Sequence, residues 1–97
     1  MNGSELIMQE RKRQIEQEGW TPEHDDEHKF FELSRAAICY LMFSIISRPP
    51  LSKSTPIKWP WDPTWWKPSY SRIRNLVKAG ALIAAEIDRL QRKANEK

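Results

Sequence analysis

Apolar positions recur with helical spacing over most of the chain. Between Ile73 and Leu90 they lie three or four residues apart, which places them on one face of an α-helix. Residues 27–47 are apolar on nearly every side, whereas residues 4–18 carry only a thin apolar face. No alternating pattern typical of a strand is apparent. The pattern therefore predicts an all-α domain of three helices, at about residues 4–18, 27–47 and 70–92.

Residues that favour helix ends lie close to these boundaries. Ser4 is a suitable N-cap for the first helix, and Gly19 is the usual type of residue just after a helix C-terminus. Thr21 followed by Pro22 indicates a turn and a new helical start. The prolines at 49–50 end the second helix, because the residue before a proline avoids helical backbone angles.

The second helix is too apolar for so short a chain to cover. A helix that is apolar all round is buried all round, and two other helices within 97 residues leave part of it bare. In the third helix, Gly80 and its neighbouring alanines allow another helix to approach closely. We therefore expect a homo-oligomer in which a second copy covers the remaining apolar face.

The segment between the second and third helices is rich in proline and tryptophan. Residues 49–68 hold six of the seven prolines, and residues 59–66 read WPWDPTWW, with four of the five tryptophans. Prolines exclude a helix here and stiffen the backbone. We predict an extended, ordered connection over residues 48–68, packed over one end of a single domain that spans residues 1–97.

Composition and charge limit the kinds of function that this chain can have. The chain has no apolar run long enough to cross a membrane and no signal-peptide pattern at its start. Cys39 is the only cysteine, so no disulfide forms within the chain, which fits the reducing cytoplasm of a cell. Residues 1–32 have four Lys/Arg and nine Asp/Glu, whereas residues 33–97 have twelve and four. The basic half therefore also contains the tryptophan-rich segment, which favours an anionic partner with flat rings, such as a nucleotide.

The candidate ligand site combines tryptophans with nearby basic residues. Indole faces stack on bases, guanidinium groups bind phosphates in two places, and free backbone N–H groups at a helix start favour an anion. In the alternative interpretation the indoles fill the ends of a small helical bundle. The predicted ligand-binding residues are Trp59, Trp61, Trp65, Trp66, Lys67, Arg72, Arg74 and Lys78.

A weaker candidate is a metal site in the acidic segment before the second helix. Its possible ligands are Asp25, Asp26, His28 and Glu32. Acidic residues are also what the dipole of a helix favours at its start, so a capping role is the alternative. No nucleophile motif and no phosphate-binding glycine loop is present, and Cys39 lies in an apolar helix. We therefore predict no catalytic residue and no cofactor.

Three blocks together resemble a family of small proteins encoded by phages and prophages. They are ERKRQIEQEGWTPEHDDEH (10–28), WPWDPTWWKP (59–68) and RIRNLVKAGALIAAEIDRL (72–90). Members of that family carry no assigned function. One departure is Asn75, where the family pattern has an acidic residue, which argues against a catalytic role at that position.

The start of the first helix and the Gly19-Trp20 turn are also similar to phage MazG-like proteins. These are all-α nucleoside triphosphate pyrophosphohydrolases, whose Mg²⁺ is held by paired acidic motifs on facing helices. This likeness implies a nucleotide substrate and Mg²⁺. The spaced Glu-x-x-Glu motif of those enzymes is absent from this chain.

From these features we expect a phage-derived, non-catalytic binding protein in the cytoplasm of a bacterial host. Its ligand would be a nucleotide, plausibly a signal of host immunity that the protein sequesters. One alternative is a MazG-like, Mg²⁺-dependent nucleotide pyrophosphohydrolase. Another is an anti-defence protein of the anti-CRISPR type, which inhibits a host protein through exposed tryptophans.

Overall fold

The computed structural model describes residues 1–46, 55–56 and 58–96, and within these ranges it confirms the all-α prediction. No strand occurs among the described residues. The end of the predicted second helix and the first part of the predicted connection lie outside them. The elements are α1 (Gly3–Glu18), α2 (Pro22–Asp26), α3 (Glu32–Ile46), one 3₁₀ turn (Pro63–Trp65) and α4 (Arg72–Asn95).

The helix ends differ from the sequence prediction in their caps. Asn2, rather than Ser4, is the N-cap of α1, and it forms a reciprocal capping box with Glu5. Gly19 ends α1 as predicted, with a φ of 72° that a side chain would disfavour. The turn predicted at Thr21 is the N-cap of the short helix α2, so the structure has one helix more than the sequence indicated.

The helix predicted from residue 27 begins only at Glu32. Residues 27–31 form a turn and bend, and Phe31 has a φ of 67°, a left-handed conformation that is rare for an aromatic residue. The side chain of Glu32 accepts a hydrogen bond from the backbone N–H of Phe30. This local bond and the left-handed residue separate α3 from α2, which the apolar pattern did not reveal.

Helices α3 and α4 pack against each other as an antiparallel pair. Ser34 lies beside Glu86, with 3.4 Å between Oγ and Oε2, and the Lys78 ammonium lies 5.5 Å from the ring centre of Tyr40. The contact surfaces are lined with small side chains, which allow the close approach that the sequence indicated. The buried alanines are Ala36, Ala37, Ala79, Ala81 and Ala85.

Helix α1 and the tryptophan-rich segment cover one side of this pair. Ile7 of α1 lies directly over Gly80 of α4, where an added Cβ would come within 2.6 Å of the Ile7 Cδ1. Buried Trp66 contacts α3, with its ring centre 4.8 Å from Tyr40 and 5.9 Å from Phe43. The core therefore lies between the helix pair and this covering layer.

The opposite side of the pair is bare. It presents eight aliphatic side chains, each between 38% and 68% exposed, which we call the aliphatic face. Its residues are Ile38, Leu41, Met42, Ile45, Leu76, Ile83, Ile87 and Leu90. The apolar stripe that identifies α4 in the sequence thus points largely outward, while Ala79, Leu82 and Ala85 of α4 belong to the buried core that contains the α3 residues.

Candidate functional site

The four tryptophans of residues 59–66 divide into two structural groups. Trp59 and Trp66 are buried in the core, and the Trp59 Nε1 donates a hydrogen bond to the carbonyl of Asp62 at 3.1 Å. Trp61 is partly buried, and Trp65 is 41% exposed. Two of the predicted ligand-binding indoles therefore belong to the core, and two lie at the surface.

The two outer tryptophans border a groove of about 360 Å³. Helix α1, the start of α2 and the tryptophan-rich segment all contribute to its walls. We call it the indole groove, and it is lined by Glu18, Trp20, His24, Trp61, Asp62 and Trp65.

Trp20 is the centre of the ring arrangement in this groove. Its ring centre lies 5.4 Å from Trp61 and 6.5 Å from Trp65, at interplanar angles of 55° and 50°. The His24 imidazole is parallel to the Trp20 indole at 6.1 Å. Rings tilted toward one another in this way form a concave surface with several aromatic faces, rather than a single flat platform.

Local backbone signals place these rings. Gly19 turns the chain at the end of α1, so that Trp20 faces back toward the tryptophan-rich segment. Asp62 caps the 3₁₀ turn by accepting a hydrogen bond from the backbone N–H of Thr64 at 2.9 Å, and Pro63 follows at the first position of the turn. The groove is therefore built on two capped turns.

The charge of the groove lining is mainly negative. Hydrogen bonds from Thr64 lower the pKa of the Asp62 carboxyl below its ordinary value of 3.8, so Asp62 is ionised at neutral pH. Glu18 also lines the groove and pairs with Arg13 at 3.2 Å. The Lys67 ammonium lies 5.3 Å from the Trp65 ring centre, so the Trp65 indole already interacts with a cation of the chain.

None of the four predicted basic residues is in the lining of the indole groove. Arg74 pairs with buried Glu10 at 2.7 Å. Lys78 donates to the carbonyl of Lys67 at 2.6 Å, and its pKa is lowered chiefly by burial. Arg72 is exposed at the first position of α4, and only Lys67 borders a groove tryptophan.

The candidate metal ligands of the acidic segment pair with other side chains of the protein. Asp25 is fully buried and pairs with Arg11 at 2.6 Å, while Asp26 pairs with Arg92 at 2.7 Å. His28 lies 3.6 Å from Glu32. Among the residues that the structure describes, no group of three or more potential ligands converges on one point, so these side chains do not fit a Mg²⁺ site.

Two further polar or reactive side chains are structural. Cys39 is buried, and burial raises the pKa of its thiol, so it is a poor nucleophile. Asn75 is fully buried and holds the connection against α4. Its side chain accepts from the Ser69 N–H at 2.9 Å and donates to the Ser69 carbonyl at 2.7 Å.

Four residues of the groove lining were not predicted from the sequence: Glu18, Trp20, His24 and Asp62. Asp62 lies within the WPWDPTWW stretch and was visible there as a charge between rings. Trp20 was the only tryptophan outside that stretch, and its position next to Gly19 was the available signal. The pairing of Trp20 with residues 61–65 spans about forty positions and depends on the tertiary fold.

None of the described helices combines the length and apolar character that a membrane crossing requires. Comparison of the chain with protein-family models, curated protein sequences and solved structures gives no match in any of the three.

Proposed function

We propose that this protein is a non-catalytic binding protein, and that its indole groove holds the alkylated ammonium group of a ligand. The observation that carries the proposal is the lining of the groove, in which three indoles and two carboxylates surround about 360 Å³. Indole faces attract cations through the ring quadrupole, and they also remove the apolar methyl groups of an alkylated ammonium from water.

The distribution of charge favours a cation over an anion in this groove. Asp62 and Glu18 lie in its walls, Glu18 being paired with Arg13, and the lining contains no lysine or arginine. An anionic ligand would bring its phosphates close to these two carboxylates. The nucleotide-sequestering role expected from the sequence therefore stays a prediction, and the same titration tests it.

Two ligands of the same shape but different charge show how much the positive charge contributes to binding affinity. Choline and its neutral isostere 3,3-dimethyl-1-butanol are titrated while tryptophan fluorescence is recorded. We expect choline to bind with a Kd of about 1 mM or tighter, and the isostere to bind about 10-fold more weakly. An acetylated trimethyl-lysine amide, titrated in parallel, distinguishes a free small cation from a modified peptide side chain.

Two substitutions locate the site. Trp65→Ala removes the most exposed wall of the groove and should weaken choline binding about 10-fold. Asp62→Asn removes a charge but keeps the cap, because asparagine caps a turn as well as aspartate, and it should weaken binding about 3-fold at unchanged stability. Arg72→Gln is the matched control outside the groove and should leave choline binding unchanged.

Adenosine monophosphate is the competing ligand in the same assay. Equal affinity for choline and its isostere would contradict the cationic assignment. Tighter binding of the nucleotide, with a loss in Lys67→Gln and Arg72→Gln, would replace it with the nucleotide hypothesis.

A further inference from the structure

We infer that the aliphatic face is the interface of a homodimer, in which the α3–α4 pair of one copy packs on the same pair of a second copy. The resulting interface is a four-helix arrangement. This goes beyond the proposed ligand site, because the indole groove lies in the layer that covers the opposite side of the pair.

The strongest observation is the orientation of α4. Ile83, Ile87 and Leu90 are between 46% and 51% exposed, although they belong to the most apolar stripe of that helix. Toward α3 the helix instead presents buried alanines, Leu82 and the buried polar residue Glu86. A helix that turns its bulkiest aliphatic side chains outward requires a second apolar surface to cover them.

The spacing of this stripe identifies a helix as the partner. Positions 76, 83, 87 and 90 of α4 are separated by steps of seven, four and three residues, which is the heptad spacing of helices that pack side by side. On α3, the exposed residues at 38, 41 and 45 repeat the same steps. A heptad repeat keeps one seam facing a partner helix over several turns, a regularity that a lipid surface does not require.

The area of the aliphatic face matches a dimer. Eight side chains, each about half exposed, together present roughly 700 Å² per copy, close to the ~800 Å² per partner of a standard interface. Single exposed patches on monomeric proteins are typically about 300–600 Å². The molecule is also a thin slab, 22 Å in its shortest dimension, which is about two helix layers.

Sedimentation velocity of the full chain tests the interface. At about 100 µM we expect the wild type to sediment with twice the 11.5 kDa mass of the chain. Ile87→Glu should sediment with the mass of one chain, because it places a charge in the middle of the face. Met8→Glu alters an apolar residue of α1 that lies outside the face and is even more exposed than Ile87, and this variant should remain a dimer.

Circular dichroism shows whether each variant keeps its helices, and Ile83→Glu provides a second disruption at a different turn. A wild type that sediments as a monomer overturns the inference, as does a folded Ile87→Glu variant that remains a dimer.

Discussion

At the residue scale, buried charges hold α1 against α4. Glu10 is only 2% exposed and lies between two guanidinium groups, with Arg13 Nη2 at 2.8 Å and Arg74 Nη1 at 2.7 Å. Burial by itself raises the pKa of this carboxyl, but the hydrogen bonds from Arg13 and Arg74 outweigh burial and lower it below the ordinary value of 4.5. Glu10 therefore stabilises the fold as an anion.

The lowered pKa of Glu10 predicts how the stability of the fold changes with pH. A carboxyl whose pKa is lowered on folding contributes fully above pH 4.5, and the contribution is lost as the pH falls from there toward the folded-state pKa. Glu10→Gln should lower the free energy of unfolding by about 1–2 kcal/mol at pH 7. The difference from the wild type should shrink in urea denaturation below pH 4.5.

Glu16→Gln is the matched control for this measurement. Glu16 lies on the same helix and is 59% exposed, and its pair with Lys12 is 4.0 Å long. An exposed pair of this kind contributes less than about 0.5 kcal/mol. An equal loss of stability in the two variants, or a difference at Glu10 that grows as the pH falls, would contradict the assignment.

At the element scale, the contact of α1 with α4 depends on the absence of a side chain at Gly80. A glycine inside a helix costs about 1 kcal/mol relative to alanine. Ile7 makes use of that space, because its Cδ1 would lie 2.6 Å from an added Cβ. The helix therefore loses intrinsic stability at this position, and the close approach of α1 offsets the loss.

A double-mutant cycle measures how strongly substitutions at Ile7 and Gly80 are coupled. In the wild type, Gly80→Ala should be close to neutral, because the gain in helix propensity is offset by displacement of Ile7. In the Ile7→Ala background the same change should raise the free energy of unfolding by about 1 kcal/mol. Gly3 has no atom within 4 Å of an added Cβ, so Gly3→Ala serves as a control that should not couple to Ile7. A coupling free energy of zero between the two substitutions would show that Ile7 does not limit which side chain position 80 can hold.

At the scale of the whole molecule, the two proposed sites lie in different layers. The covering layer of α1, α2 and the tryptophan-rich segment contains the indole groove, and the α3–α4 layer carries the aliphatic face. The proposed ligand and the proposed second copy would therefore contact different layers. Ligand binding and dimer formation are therefore expected to be independent, and variants in one layer serve as controls for the other.

Concentration dependence of thermal unfolding follows from this architecture. Dimer formation stabilises the native state by mass action, so the Tm of the wild type should rise when the protein concentration increases from about 5 to 500 µM. The Tm of Ile87→Glu should be lower and independent of concentration. Trp65→Ala should show the same concentration dependence as the wild type, and a Tm that is constant for all three proteins would contradict the role of the aliphatic face.

The sequence predicted the helical class and most of α1 and α4, because these depend on residues that are close together in the chain. Gly19 and the periodic stripe of α4 are local signals of this kind. The start of α3 was predicted five residues too early, since a left-handed residue at Phe31 leaves no trace in the apolar pattern. The short helix α2 was predicted as a turn, because its cap at Thr21 serves either structure.

For the candidate site, the sequence by itself determined that tryptophans and a charged residue are concentrated in residues 59–66. Only the tertiary structure decided that Trp59 and Trp66 enter the core, and that buried Trp20 packs against the outer indole of Trp61. It also decided that the stripe of α4 faces outward. Local spacing specifies which face of a helix is apolar. What that face meets depends on which segments pack around it, and in α4 the alanines fit closely against α3, which leaves the larger side chains for a different surface.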